Sequence, residues 1–226
     1  DQKGEKFIRE IKSIDKNFLK HGDVTIKVDY SDLNFKDGMI LKNGGRLVKE
    51  FPHIPGIDLA GQVVESQNKN FKEGDEVIGT GFGLGAEING GYCERVIAPG
   101  EWFLKCPKNL KLKDAMRFGT AGFTAALAIR RLEENFITPE NGEIIVTGAS
   151  GGVGRLLCQC ASLIGVKVIG LVGDLNKVND KNNFGCMHIL EYEDNALIQK
   201  IMKFTECKGV DFIFDSVGSK VFFNFS

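Results

Sequence analysis

The spacing of apolar residues changes character near residue 114. Before it, apolar positions come in short groups broken by glycine. Val24–Asp29 alternates, Ala60–Glu65 is a brief apolar run, Glu76–Gly79 follows a Gly-Asp turn, and Tyr92–Ala98 alternates again. Successive side chains of a strand point to opposite faces, so a period of two bounded by turn residues predicts strands. Many short strands with frequent turns predict a small β barrel or sandwich over residues 1–112, with Trp102 and Phe103 as packing residues.

Beyond that point the period lengthens. Asp114–Phe118 begins a helical stretch that resumes through Thr124–Glu134, with Gly119 and Gly122 between. Then come strand Glu143–Thr147, helix Gly152–Ile164 and an unbroken apolar strand Val166–Val172, the mark of a strand buried on both faces. Asn176–Phe184 reads as a short polar helix, His188–Glu191 as a brief strand, Asn195–Thr205 as helix and Val210–Asp215 as an apolar strand. Alternating strands and helices predict an α/β fold, a doubly wound parallel sheet over residues 113–226. Four strands are legible where a complete dinucleotide-binding sheet has six, in the order 3-2-1-4-5-6. The fourth would leave an uncovered apolar edge, so the chain reads as part of a longer protein.

The richest chemistry lies at Ile144-Ile-Val-Thr-Gly-Ala-Ser-Gly-Gly-Val-Gly154. An apolar strand runs into a glycine-rich turn and then a helix. Ala149, Gly151 and Gly154 fall on the positions of a G-x-G-x-x-G fingerprint, with Ala replacing the first Gly. Small residues admit a dinucleotide pyrophosphate, and the helix turns its positive end toward it. Ser150, Gly151, Gly152 and Val153 are the candidate binders there. Val172, Gly173 and Asp174 at the end of the next strand, followed by Lys177, are candidates for the adenosine ribose. An acid there accepts from both ribose hydroxyls and favours NAD.

Composition narrows the function classes. The 226 residues are 42% hydrophobic with a formal net charge of -1, and 29 Lys+Arg nearly balance 30 Asp+Glu. No overall field favours nucleic acid or an anionic membrane. No apolar run reaches the roughly 18 residues of a spanning helix, and the polar N-terminus is no signal peptide. Cytoplasm is the expected location. Cysteines 93, 106, 158, 160, 186 and 207 form no C-x-x-C pair, so buried or half-buried free thiols are expected. His21, His53 and His188 are scattered and read as structural.

Further motifs carry a family likeness: Leu33-Asn34-Phe35-Lys36-Asp37, Phe51-Pro52-His53-Ile54-Pro55-Gly56-Ile57-Asp58, Gly90-Gly91 with Glu94, Gly119-Thr120-Ala121-Gly122-Phe123-Thr124-Ala125, and Asp215-Ser216-Val217-Gly218. With the fingerprint, the chain resembles the zinc-independent quinone-oxidoreductase branch of the medium-chain dehydrogenase/reductases, especially its acryloyl-CoA reductase subgroup. The resemblance implies a GroES-like substrate domain, here with its first strand clipped, followed by a Rossmann domain. It implies NADPH, Lys177 matching a 2′-phosphate-binding lysine of quinone-reductase relatives, with NADH the alternative favoured by Asp174. It implies hydride transfer to an activated C=C bond such as an enoyl thioester. It also implies a homodimer. Zinc-dependent relatives carry a Cys and a Gly-His-Glu; this chain has Gly56-Ile57-Asp58 there, so no metal is expected.

The same resemblance singles out Asn34 and Thr120 as catalytic candidates. Asn34 would bind the nicotinamide carboxamide or the substrate; its alternative is a turn held through its own backbone. Thr120 would bond the nicotinamide side, or else cap a helix. Phe35 stands where the subgroup has a cofactor-contacting Tyr, and keeps the ring without the hydroxyl. Lys36 and Asp37 read as a local ion pair. Lys42, Arg46 and Lys49 could meet the phosphates of a CoA substrate, or form a solvated loop. No residue stands out as proton donor for the α-carbon, and solvent is an equal candidate. Two alternatives stay open: an NADPH quinone reductase, and a non-catalytic nucleotide-binding or sensing relative.

Overall fold

A computed structural model describes residues 8–19, 22–43, 47–140, 142–178 and 184–218. The chain divides into two compact units, Asp1–Thr120 and Ala121–Ser226.

The first unit is built on an antiparallel sheet of five strands: β1 (Val24–Ser31), β2 (Asp58–Ser66), β3 (Glu76–Thr80), β4 (Arg95–Ala98) and β5 (Phe103–Lys105). Their spatial order is β4-β1-β2-β3-β5. Val24, Ile26, Leu59, Val63, Val77, Val96 and Phe103 form its core. The alternation expected in β1 breaks at its start, where Val24, Thr25 and Ile26 are all buried. The pairing with β2 shifts register between Thr25 and Ile26 and again between Val28 and Tyr30, and such irregularities re-aim consecutive side chains. Strand β5 is three residues long, too short to show a period.

Helix α1 (Phe35–Asn43) has no counterpart in the apolar pattern, because its fully buried position is Asp37, with Ile40 one turn later. Helix α2 (Leu112–Glu134) is longer than the pattern suggests. Its departure from helical geometry is confined to Gly119, at φ 47° and ψ -151°, while Gly122 is helical. In its opening turns, Leu112, Ala115 and Met116 pack with Ala60 of β2.

The second unit is a parallel sheet of β6 (Glu143–Thr147), β7 (Lys167–Val172), β8 (His188–Glu191) and β9 (Phe212–Phe214), in the order β8-β7-β6-β9. This is the start of the 3-2-1-4 order that the alternation predicts. Ile144 and Val146 face one side with Val168, under Ala125, Ala128 and Leu132 of α2 and Leu157, Cys158 and Ala161 of α3 (Gly152–Leu163). Ile145 faces the other with Ile169 and Leu171, under Leu197 and Ile201 of α4 (Leu197–Phe204). Both faces of β6 and β7 are covered, hence their continuous apolar sequence.

Two expectations are corrected here. The polar helix expected from Asn176 is a single 3-10 turn, Leu175–Lys177; Val178 is already extended and buried, and residues 179–183 lie outside the described set. Cys207 is exposed, because the chain leaves α4 through Glu206 and Cys207, both at positive φ. The other five thiols are buried or half-buried.

Leu157 is fully buried between α3 and the sheet. Leu157→Ala should lower unfolding stability by about 2–5 kcal/mol, seen as a lower denaturant midpoint at unchanged slope.

Candidate functional site

The glycine turn is held by main-chain bonds. Gly148, at φ 61°, follows β6; the Ala149 amide donates to Leu171 O at 3.0 Å and the Gly151 amide to Gly148 O at 2.8 Å. A Cβ on Gly154 would lie 2.3 Å from Gly148 O, so α3 can sit on this turn only with glycine there. At Gly151 and Gly152 the constraint differs. A Cβ would come no nearer than 3.2 Å and 3.5 Å to any neighbour, and both residues are exposed. The N-cap of α3 is Gly151, no side chain caps the helix, and its first turn holds no acid. The first amides of a helix have no partner within it, so this end presents N–H donors and a positive dipole to an anion. Ser150 is exposed beside it and Val153 is half-buried.

At the end of β7, Val172 is buried and Gly173 exposed, where a Cβ would meet the Tyr192 hydroxyl at 2.7 Å. Asp174 accepts from the Asn176 amide at 2.9 Å and thereby caps the 3-10 turn, while Glu191 accepts from the Leu175 amide at 2.7 Å. The side chain of Lys177 and all of Arg46 lie outside the described residues. The ends of β6 and β9 are pinned together: buried Thr147 donates to Asp215, and Ser216 donates to Thr147 O at 3.1 Å. Burial works against the Asp215 charge, but Thr147 and the amides of Gly218 and Val217 outweigh it and hold the carboxyl below its usual range.

The catalytic candidates meet in the first unit. The Asn34 side-chain amide donates to Asp32 Oδ1 at 2.7 Å and to Asp58 Oδ2 at 2.9 Å. Asp58, fully buried at the start of β2, also accepts from the Thr120 amide at 2.6 Å and from the Thr120 hydroxyl. Gly119 makes the approach feasible: a Cβ there would fall 2.1 Å from Asp32 Oδ2 and 2.6 Å from Asp58 Oδ2, at a φ that already favours glycine. The Tyr92 hydroxyl donates to Asp32 O at 2.9 Å. Burial, together with the neighbouring carboxylate of Asp58, pushes Asp32 up to about 7. Burial and the Asp37 and Asp32 charges push the Tyr92 phenol well above its usual range.

Asp32 is the residue that sequence reasoning missed. It precedes the Leu33–Asp37 motif and its importance comes from Asp58 and Gly119, which only the fold brings to it. The expected Lys36–Asp37 ion pair is absent. Asp37 is turned inward, where it accepts from the amides of Asn34 at 2.9 Å, Gly56 at 3.1 Å and Ile57 at 3.0 Å; Lys36 points to solvent. Phe35 is 87% exposed, so its ring takes little part in the packing of the described residues. Lys42 and Lys49 are exposed. Phe103 is buried and Trp102 stacks on Phe82, centroids 5.8 Å apart. His53 bonds Gly85 O at 2.8 Å and His188 stacks on Phe204, while His21 lies outside the described residues.

A GroES-like unit joined to a parallel dinucleotide-type sheet defines a two-domain dehydrogenase/reductase. The family model for the alcohol dehydrogenase GroES-like domain matches residues 20–108, and that for zinc-binding dehydrogenase matches residues 152–226. YhfP of Bacillus subtilis is 44% identical over 184 residues, 81% of this chain and 56% of YhfP; its structure with NAD bound superimposes with a TM-score of 0.77 over 82% of this chain and 56% of that one. AcuI of Escherichia coli, named a probable acrylyl-CoA reductase, is 35% identical over 221 residues, 98% of this chain and 68% of AcuI. The structure of Escherichia coli YhdH with bound NADPH is 37% identical, with a TM-score of 0.77 over 81% of this chain and 57% of that one. The chain belongs to the medium-chain dehydrogenase/reductase family, in the branch without a zinc-binding group. It spans a little over half of the length of YhfP and about two thirds of AcuI.

Zinc does not fit this chain. Among the described residues no three His, Cys, Asp or Glu side chains converge on a metal position, and the Asp58 oxygens are already engaged by Thr120 and Asn34. No helix among the described residues is long and apolar enough to cross a membrane.

Two predictions follow from this geometry. Gly154→Ala should lift α3 off the glycine turn and cost about 1–3 kcal/mol, measurable as a fall in Tm. The second concerns pH. Folding raises the Asp32 pKa from 3.8 to about 7, so the folded chain binds an extra proton between those values. Stability should therefore fall as pH rises from about 4 to about 7, and level off above. Burial lowers the His53 pKa from 6.5, which acts in the opposite sense just below that pH. The difference between wild type and Asp32→Asn in denaturant titrations across this range isolates the Asp32 contribution.

Proposed function

We propose that the protein is an NAD(P)H-dependent reductase of an activated C=C bond, with an enoyl thioester of the acryloyl-CoA kind as substrate class. The observation that carries this reading is the uncapped N-terminus of α3 behind the glycine turn, with Gly151 and Gly152 exposed where side chains would otherwise fit. Ser150, Gly151, Gly152 and Val153 would hold the pyrophosphate, and Val172, Gly173, Asp174 and Lys177 the adenosine ribose. NADPH is the proposed cofactor, supported by the similarity to YhdH, whose structure holds NADPH; the similarity to YhfP, whose structure holds NAD, keeps NADH as the alternative.

The reduced nicotinamide supplies the hydride, and the chain supplies orientation and charge stabilisation. Both amide hydrogens of Asn34 are taken by Asp32 and Asp58. Asn34 therefore offers its carbonyl oxygen, an acceptor suited to the amino group of a nicotinamide carboxamide rather than to a substrate carbonyl. Thr120, fixed to Asp58 by both its amide and its hydroxyl, is the second positioning group. Exposed Phe35 offers its ring to the cofactor. Lys42, Arg46 and Lys49 would meet the CoA phosphates. The family resemblance and the balanced charge support a cytoplasmic homodimer acting on a small molecule.

Calorimetric titration of NADPH and NADH onto the full-length protein, followed by nucleotide consumption with acryloyl-CoA and with a small quinone, tests the reading. Turnover with acryloyl-CoA is expected; turnover with quinone alone moves the assignment to quinone reduction, and binding without turnover supports a sensing role. Absence of nucleotide binding overturns it. Asp174→Ser, which removes the acid facing a 2′-phosphate, should raise the NADPH over NADH affinity ratio about tenfold. Asn34→Ala should lower kcat/KM about 10–100-fold.

A further inference from the structure

Carboxyl groups hydrogen-bond each other only when one carries a proton. Asp32 and Asp58 are brought together at Gly119, where the Oδ2 atoms of both crowd the space a Cβ would take, and the Asn34 amide bridges them at 2.7 and 2.9 Å. Three donors already reach Asp58: the Thr120 amide, the Thr120 hydroxyl and the Asn34 amide. Among the described residues, the carboxyl of Asp32 receives the Asn34 amide alone; it is half-buried. The donor balance therefore leaves the shared proton on Asp32. The groups facing Asp32 are Asp58 from β2, Asp37 from α1, the Tyr92 hydroxyl from the segment before β4, and uncharged Gly119 and Thr120 from α2. Among the described residues no cation pairs with Asp32, so every neighbouring charge favours the protonated form.

We propose that Asp32 is a positioning residue: its carboxyl, protonated and hydrogen-bonded to Asp58, holds the Asn34 side-chain amide in place, and loss of that proton releases it. The proton leaves to solvent from the half-buried side chain. Two carboxylates then face each other across Gly119, and their repulsion turns Asp32 outward. Asn34 keeps its bond to Asp58 and loses the second bond that fixes its plane. Burial together with the Asp58 charge places this change near neutrality, at about 7. The catalytic consequence rests on the reductase reading above; the proton sharing does not.

The test is an NMR titration of the full-length protein from pH 5 to pH 9, following the Asp32 carboxyl carbon and the Asn34 side-chain amide. Both should move together with a midpoint near neutrality. Asp32→Asn, which keeps a neutral donor toward Asp58, should abolish the Asn34 movement. An Asp32 carboxyl that titrates below pH 5 overturns the proposal, as does an Asn34 amide that stays still across the range or still moves in Asp32→Asn. The wild-type titration decides even where the variant fails to fold. In turnover, kcat/KM should fall about tenfold one pH unit above the midpoint, as the protonated fraction does, and stay flat in Asp32→Asn. Coupled titration with no nucleotide binding leaves the proton sharing standing and removes the reductase reading. Nucleotide turnover with no coupled titration removes the proposal alone.

Discussion

A carboxylate taken fully out of water must have its lone pairs answered by donors, and two such groups organise the first unit. Asp58 and Asp37 are each fully buried. Asp37 gathers the amides of Asn34, Gly56 and Ile57, and so fixes α1 against the segment leading into β2. Asp58 gathers Asn34 and Thr120, and so fixes the approach to α1 against the bend in α2. Removing either acid would leave several donors unanswered at once. The positions of Asn34 and Thr120 are thus set by acids that belong to the fold.

Backbone proximity plays the corresponding part in the second unit. Gly154 lets α3 rest on Gly148 O, and the Thr147–Asp215 and Ser216–Thr147 bonds hold β6 and β9 level at their ends. Apolar side chains cover both faces of β6 and β7 beneath the turn. Capping the turn after β7 fixes the carboxylate of Asp174, the residue proposed to read the ribose.

Periodicity made the parallel sheet legible because both faces of β6 and β7 are covered, which forces their sequence to be apolar throughout. It failed at α1, where the inward residue is an aspartate, and at β5, whose three residues are too few to show alternation. The pairing of Lys36 with Asp37 was a natural inference from adjacent opposite charges. It was wrong because the partners of a buried acid are main-chain amides, and these leave no mark in the sequence. Thr120 and Asn34 were visible through family motifs, yet their common dependence on Asp58 was not. Asp32 was invisible for the same reason: its chemistry arises from a contact across Gly119 between segments distant along the chain.

The position of Asp58 gives the site its chemical character. Zinc-dependent relatives place a metal ligand in this stretch; here the carboxylate is saturated by donors from the protein. A metal would polarise a substrate oxygen by its own charge. On the proposed reductase reading, stabilisation of developing negative charge would fall to oriented hydrogen bonds, whose value depends on donors held still in a low dielectric. An acidic neighbourhood works against such charge unless its own is reduced. A proton shared between Asp32 and Asp58 lowers that charge by one, and does so beside the two residues assigned to position the reacting groups. On the proposed reductase reading, protonation of the pair is the state that opposes developing negative charge least.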